Sequence, residues 1–333
     1  MKPTKIAVIG AGGWGTALSV IWGRQSHAIL LWGRNPSRIE QLQKSRENRA
    51  YLPGVELPKN VGLTSQLRAC GDADLIVFVT RSTALRETAA QLREVTINPD
   101  AVLLSCIKGI EHGTGKRMSE ILVEIFPKHP IAVLSGPNLA AEVSRELPTA
   151  TVLACTRQEF AANLQDYLGT PRFRIYTGEE LAGIELGGAL KNVFAIAAGA
   201  GDGLGLGDNS KAALVTRALA EMVRLGTKMG GELRTFYGLS GAGDLIATCF
   251  SQHSRNRRVG EQLAKGRSLN EITTSIGTVA EGIPTAKSAH QCARKLGVET
   301  PIIDQVYSLL YQQKPSAQAM EELLSRDQKA EAI

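Results

Sequence analysis

One pattern limits this chain more than any other: short apolar runs alternate with helical stretches, and the alternation stops partway along. "KIAVIG" (5–10), "AILLWG" (28–33), "DLIVFVT" (74–80), "AVLLSC" (101–106), "IAVLSG" (131–136) and "ATVLAC" (150–155) are continuously apolar. Strands with helices on both faces of their sheet read this way, whereas half-exposed strands alternate. Helical patterns fill the intervals at 14–24, 83–95, 115–126 and 158–168, and "RFRIYTG" (172–178) supplies a last strand. Strand, helix, strand in succession predicts a parallel, doubly wound α/β sheet. Beyond residue 178 no comparable β-branched runs occur. Helical patterns take over at 179–200, 210–228, 259–264, 285–296 and 301–311. The expected architecture is a sheet domain over 1–178 followed by an all-α C-terminal domain over 179–333, a division that suits 333 residues.

Hydrophobic residues make up 43% and charged residues 21%, a globular balance for which disorder is not the default. Charges or glycines interrupt every apolar run, so no membrane insertion is expected. The apolar part of "MKPTKIAVIG" is too short for a secretory signal and reads as a strand, and a cytoplasmic protein is expected. The five cysteines are widely spaced with no C-x-x-C pair, and the five histidines lack the i, i+4 spacing of a helical metal site. No metal is expected. The net charge of +6 suits a phosphorylated small molecule, but equally nucleic acid or no specific partner. The sharpest basic cluster, "SRNRR" (254–258), has no aromatic interleaving, which argues against a nucleic-acid partner.

"IAVIGAGGWGTAL" (6–18) ends the first apolar run in Gly10 and continues through Gly12, Gly13, Trp14 and Gly15. Many strand-to-helix turns use glycine, so the spacing alone fits a tight turn as well as a phosphate cradle. Its context is that of a dinucleotide-binding βαβ unit of a Rossmann-like fold. Gly10 would permit the turn, Gly12 the approach of a pyrophosphate and Gly15 the packing of helix on strand. First-turn N–H groups would then face the phosphates. The second strand ends in "LLWGRNP", with Arg34 and Asn35 where NAD-binding units place an acid. A guanidinium there fits the 2′-phosphate of NADPH. A solvated loop arginine is the alternative.

Three further clusters suggest chemistry. In "IELGGALKNVFAIAAG" (184–199), Lys191 and Asn192 interrupt an apolar helical pattern one turn after Gly187 and Gly188. Missing side chains there would leave room for a ligand above Lys191, although an isolated lysine could snorkel to solvent. In "GLSGAGDLIATCFSQHSRNRRVG" (238–260), Asp244 sits in a glycine-rich turn, and Ser254, Arg255 and Asn256 stand where a helix would begin. That trio suits a phosphate monoester, or equally an N-cap with a basic face. In "SCIKGIEHGTG" (105–115), Lys108 follows the end of a strand, and "LSGPN" (134–138) follows the next. Ligands of open α/β sheets sit at that edge.

Taken together, "GAGGWGTAL", "KGIE", "SGPNLAAEV", "ALKNVFAIAAG", "GLSGAGDLIATC", "SRNRRVG" and "VAEGIPTA" resemble, in order and spacing, the bacterial-type NAD(P)-dependent glycerol-3-phosphate dehydrogenases over nearly the whole chain. The resemblance implies reversible hydride transfer between NADH or NADPH and dihydroxyacetone phosphate, giving sn-glycerol 3-phosphate for phospholipid synthesis. It implies Lys191 as general acid/base, with Lys108 and Asp244 beside it in catalysis. Substrate-contacting positions would be Lys108, Gly136, Asn138, Lys191, Asn192 and Asp244, together with Ser254, Arg255 and Asn256. Besides the loop glycines Gly10, Gly12, Gly13 and Gly15, cofactor-contacting positions would be Trp14, Arg34, Lys108 and Ala140, with Arg255, Val279 and Glu281. Relatives often carry a hydroxyl residue or phenylalanine within the segment that reads "GPNLA" (136–140) here. Arg34 tips the expected cofactor towards NADPH, and a homodimer is expected from the frequency of two-fold assemblies. Two rival readings are a hydroxy-acid or ketopantoate-type reductase and a non-catalytic NADPH sensor. A phosphate anchor opposes the first and a lysine acid/base the second.

Overall fold

The computed structural model describes residues 4–276 and 280–327. They divide into two compact units: Met1–Ile107 with Met118–Leu181, and Lys108–Arg117 with Ala182–Ile333. The sequence reading gave 1–178 to one domain. The structure instead assigns the 108–117 segment to the helical unit and puts the boundary just before Ala182.

The first unit is a sheet of β1 (Lys5–Ile9), β2 (Ala28–Trp32), β3 (Val61–Thr64), β4 (Leu75–Phe78), β5 (Val102–Ser105), β6 (Ile131–Ser135), β7 (Thr149–Cys155) and β8 (Phe173–Thr177). Their spatial order is β3-β2-β1-β4-β5-β6-β7-β8. The order reverses between β1 and β4, which pair parallel with Ile6 opposite Leu75. That reversal is the switch point where such sheets take ligands. Ile6 and Val8 enter the core on one face, and Ala7 and Ile9 the core on the other, which is why β1 is apolar without alternation. The helices α1 (Gly13–Arg24), α2 (Pro36–Ser45), α3 (Leu85–Arg93), α4 (Met118–Ile125), α5 (Ala140–Val143) and α6 (Gln158–Leu168) connect the strands. One expectation fails, because β7 runs antiparallel to β6. The link between them holds a single helical turn, α5, where a parallel crossover calls for a helix long enough to return along the sheet.

The second unit is built from α7 (Ala182–Gly203), α8 (Gly207–Lys228), α9 (Leu233–Phe236), α10 (Asp244–Phe250), α11 (Arg255–Ala264), α12 (Leu269–Ile276), α13 (Gly282–Leu296), α14 (Pro301–Tyr311) and α15 (Ser316–Leu324). α7 is its axis, buried continuously from Gly183 to Ala200, so it is apolar all round rather than amphipathic. Glycines let α11 lie against it. A Cβ on Gly199 would stand 1.8 Å from the carbonyl oxygen of Arg257, and one on Gly260 would stand 1.9 Å from that of Ile196. The 108–117 segment joins this unit through Ile110, which is buried in the same core.

Candidate active site

In the sheet unit, Gly10 and Gly15 take the turn and the packing position that their spacing predicts. Gly10 takes φ 131°, and a Cβ there would meet the Val79 carbonyl oxygen at 2.7 Å. A Cβ on Gly15 would lie 2.0 Å from the Gly10 carbonyl, so α1 packs on the turn only with glycine. Around Gly12 a Cβ would meet nothing within 4 Å. Gly12 is the N-cap of α1, no side chain caps it, and the first turn, which opens with the buried Gly13, holds no acid. The loop therefore offers bare N–H groups and open space at one point, the arrangement an anionic pyrophosphate requires.

Trp14 lies beside this loop with its ring 6.3 Å from that of Phe173. Arg34 is exposed just past β2, and Asn35 caps α2 by accepting from the Arg38 N–H, so no carboxylate occupies the strand end. Past β6, Gly136 is buried, and a Cβ there would come within 2.9 Å of the Thr151 Cα. The Asn138 amide donates to Thr151 Oγ1 at 3.0 Å, and Thr151 donates in turn to the Ser135 carbonyl. Asn138 Oδ1 is buried with no hydrogen-bond partner among the described residues. Ala140 opens α5.

In the helical unit, two lysines and an aspartate singled out from the sequence come together. Asp244, 1% exposed, sits between two ammonium groups. Its Oδ2 accepts from Lys108 Nζ at 2.6 Å, and its Oδ1 pairs with Lys191 Nζ at 2.9 Å. Lys191 also donates to Thr248 Oγ1 at 2.6 Å, and Thr248 Oγ1 donates to Asp244 Oδ1 at 3.3 Å. Lys191 is therefore buried and fixed by two oxygens rather than snorkelling. Asp244 follows a wide π turn, Leu239–Gly243, in which the Gly243 N–H reaches the Gly238 carbonyl. Such turns put extra backbone at one point of a helix and are frequent at functional sites.

One sequence inference changes here. Gly187 does not leave room for a ligand: a Cβ there would lie 2.7 Å from the Ser240 carbonyl and 3.0 Å from the Gly241 Cα. The space holds the π turn itself, and the glycine brings α7 close enough for Asp244 to meet Lys191. Ser254 and Asn256, read as phosphate donors or as an N-cap with a basic face, make contacts within the fold in this structure. Ser254 Oγ caps α11 by accepting from the Arg257 N–H. Asn256 donates to Asn192 Oδ1 at 2.8 Å and accepts from the Gly282 N–H at 2.9 Å, tying α7, α11 and α13 together. Arg255 opens α11, half-buried, and Glu281 is the N-cap of α13. Val279 lies outside the described residues.

Thr248 was not singled out from the sequence. The one signal that could have found it is its i+4 spacing from Asp244, which puts both on one face of α10. The adjacent Cys249 is no nucleophile. Burial pushes its thiol up to about 12, although Lys191 acts the other way. Among the described residues no group of His, Cys, Asp and Glu could hold a metal ion, and no helix is long and apolar enough to cross a membrane.

The family model described as the NAD-dependent glycerol-3-phosphate dehydrogenase N-terminus matches residues 5–161, and its C-terminal counterpart matches 180–321. The chain is 45% identical to a glycerol-3-phosphate dehydrogenase (NAD(P)+) of Desulfitobacterium hafniense over 98% of its own length and 93% of that protein. It is 46% identical to one of Chlorobium limicola, over 98% and 99%. Among solved structures, glycerol-3-phosphate dehydrogenase of Coxiella burnetii superposes with a TM-score of 0.94 at 36% identity, covering 97% of this chain and 99% of that one.

Proposed function

The chain belongs to the NAD-dependent glycerol-3-phosphate dehydrogenase family, and from that premise we propose how its own residues carry the reaction: reversible reduction of dihydroxyacetone phosphate to sn-glycerol 3-phosphate with NADH or NADPH. The observation that carries the assignment is the Lys108–Asp244–Lys191 triad, two cations sharing one buried carboxylate. A ketone under reduction develops negative charge on its oxygen. A fixed ammonium aimed at that oxygen stabilises the transition state more than the neutral ground state. Lys191 donates a proton to the oxygen as the alcohol forms, and in reverse its amine removes the hydroxyl proton. Lys108 reinforces the positive field. Asp244 and Thr248 hold Lys191 in one geometry, so no reorganisation is needed when charge appears. Arg255 offers a planar fork to the substrate phosphate.

The open position at Gly12 supports a dinucleotide held over Gly10, Gly12, Gly13 and Gly15. The dinucleotide, when bound, supplies the hydride for reduction and takes it back in the reverse direction. Trp14, Ala140, Lys108, Arg255 and Glu281 carry over as cofactor-contacting residues, and Gly136, Asn138 and Asn192 as substrate-contacting ones. Exposed Arg34, with no carboxylate beside it, favours NADPH. A cytoplasmic homodimer is the state to be tested by light scattering. The deciding experiment follows NADPH and NADH oxidation by the purified protein, with and without dihydroxyacetone phosphate. Oxidation that depends on that substrate is expected, faster with NADPH. A folded protein that oxidises neither would sink the substrate assignment, and equal rates with both would remove the Arg34 argument.

A further inference from the structure

We infer that Arg117 and Glu185 are positioning residues: their buried ion pair clamps the 108–117 segment to α7 and thereby sets the spacing between Lys108 and Lys191. The inference rests on the roles proposed for those two lysines. Arg117 Nη1 lies 2.9 Å from Glu185 Oε2, with side chains 18% and 4% exposed. Glu185 is in the first turn of α7, six residues before Lys191, so both project from one rigid helix about 9 Å apart along its axis.

The segment between the two anchors is stiff. Ile110 bridges Arg117 as an antiparallel pair, and the Glu111 N–H donates to the Lys116 carbonyl at 2.9 Å. Gly113 and Gly115 take φ of 86° and 73° to close the turn. Lys108 stands two residues from Ile110 and reaches Asp244, which also holds Lys191. The contacts form a closed ring: α7, Lys191, Asp244, Lys108, the Ile110–Arg117 bridge, Glu185, and α7 again. Gln291 supports the tip of the turn through the Gly113 N–H at 3.1 Å, and Ile110 anchors its base in the helical core. With Arg117 released from Glu185, the segment loses one of its ties to α7 and keeps the packing of Ile110 in the helical core, which leaves Lys108 two residues away less closely held. A displacement of about 1 Å at a charged group can cost on the order of 100-fold in rate.

The test uses Glu185→Gln and the paired Arg117→Met/Glu185→Leu variant, which removes both charges so that neither is left buried alone. Exposure of Lys108 is read by reductive methylation and mass spectrometry, and kcat and KM are measured for wild type, each variant and each variant combined with Lys108→Ala. In the paired variant, Lys108 methylation should rise several-fold and kcat should fall about 10–100-fold even where Tm matches wild type. In the Lys108→Ala background the same substitutions should change kcat by less than about two-fold, because their effect passes through that lysine. Arg117→Lys, which keeps the charge pair, should recover most of the rate. Unchanged Lys108 methylation in a folded variant overturns the inference, as does an effect that multiplies with Lys108→Ala. Absence of dehydrogenase activity in wild type would strike the proposed function alone, because the methylation arm needs no turnover.

Discussion

Replacing Asp244 by asparagine keeps the shape of the side chain and removes the charge that two lysines share. Asp244 pairs at 2.6 Å with Lys108 and at 2.9 Å with Lys191 while 1% exposed. At an effective dielectric of about 20, each contact represents roughly 6 kcal/mol of attraction, much of it offset by the cost of burying the charges. Removing one partner of a buried pair exposes that imbalance and costs about 3–5 kcal/mol. For a folding unit of 150–250 residues, about 2–4 °C of Tm accompanies each kcal/mol, so Tm should fall by about 6–20 °C. Scanning calorimetry at pH 7 measures this directly. A second arm separates lost attraction from new repulsion: adding Lys108→Met removes one of two ammonium groups left facing each other. The double variant should regain at least about 1 kcal/mol over Asp244→Asn alone. A single variant melting within about 2 °C of wild type would refute the reasoning. It would mean that the lysines reach solvent once released and that the triad is not electrostatically closed.

Lys191→Ala should lower kcat by about 10²–10⁴-fold in steady-state NADPH oxidation, the usual contribution of a positioned acid/base. Gly199→Ala puts a Cβ 1.8 Å from the Arg257 carbonyl, a backbone atom that cannot yield locally. It should destabilise by at least about 1–3 kcal/mol in urea unfolding, and a neutral result would mean that α7 and α11 separate freely. Glu221, 1% exposed, accepts the N–H groups of Ile302 and Ile303 at the start of α14. Burial raises its carboxyl from 4.5 to about 7, against the opposing pull of those two bonds. A carboxyl whose pKa is raised on folding contributes stability that is complete below pH 4.5 and lost as pH climbs through 7, about 3 kcal/mol in all. Glu221→Gln removes that dependence. Its Tm relative to wild type should therefore climb between pH 5 and pH 8, and a flat difference would contradict the assignment.

Most strands were legible because burial on both faces leaves an unbroken apolar run. β3 was not, since Val61–Thr64 is only four residues long and contains Gly62. α2 escaped for a related reason: Ile39 and Leu42 are its only buried residues, too narrow a stripe to set a helical period. The start of α10 looked like a glycine-rich loop because the π turn before it carries Gly238, Gly241 and Gly243. Lys191 could be singled out from its apolar surroundings, and the resemblance set Lys108 and Asp244 beside it, but no local pattern joins the three. Lys108 meets Asp244 across 136 residues of sequence, a contact that belongs to the fold and to no local pattern. Glycine is the most ambiguous letter in this chain. Gly12 leaves open space and Gly187 admits another stretch of backbone, and the two cannot be told apart until the neighbours are placed.

The adjacency of Lys191 and Asn192 has a geometric cause on α7. Asn192, Ile196, Gly199 and Gly203 recur at intervals of four, three and four, one stripe of a helix with 3.6 residues per turn. All four face α11: Asn192 through Asn256, the Ile196 carbonyl at Gly260, Gly199 at Arg257, and Gly203 at Ala264. Lys191, one residue earlier, is turned about 100° from that stripe. There it meets Asp244 and Thr248 on α10. Two glycines inside a helix each cost about 0.5–1 kcal/mol in propensity, and here they let α11 approach closely enough for asparagine to pair with asparagine. Asp202, about three turns beyond Lys191, receives the Arg257 side chain and fixes the same two helices at their far end. Exchanging the two residues would turn the lysine into the glycine interface and the asparagine towards the carboxylate. The order of the pair thus secures both the packing of α11 and the aim of the ammonium, and neither residue can move without the other.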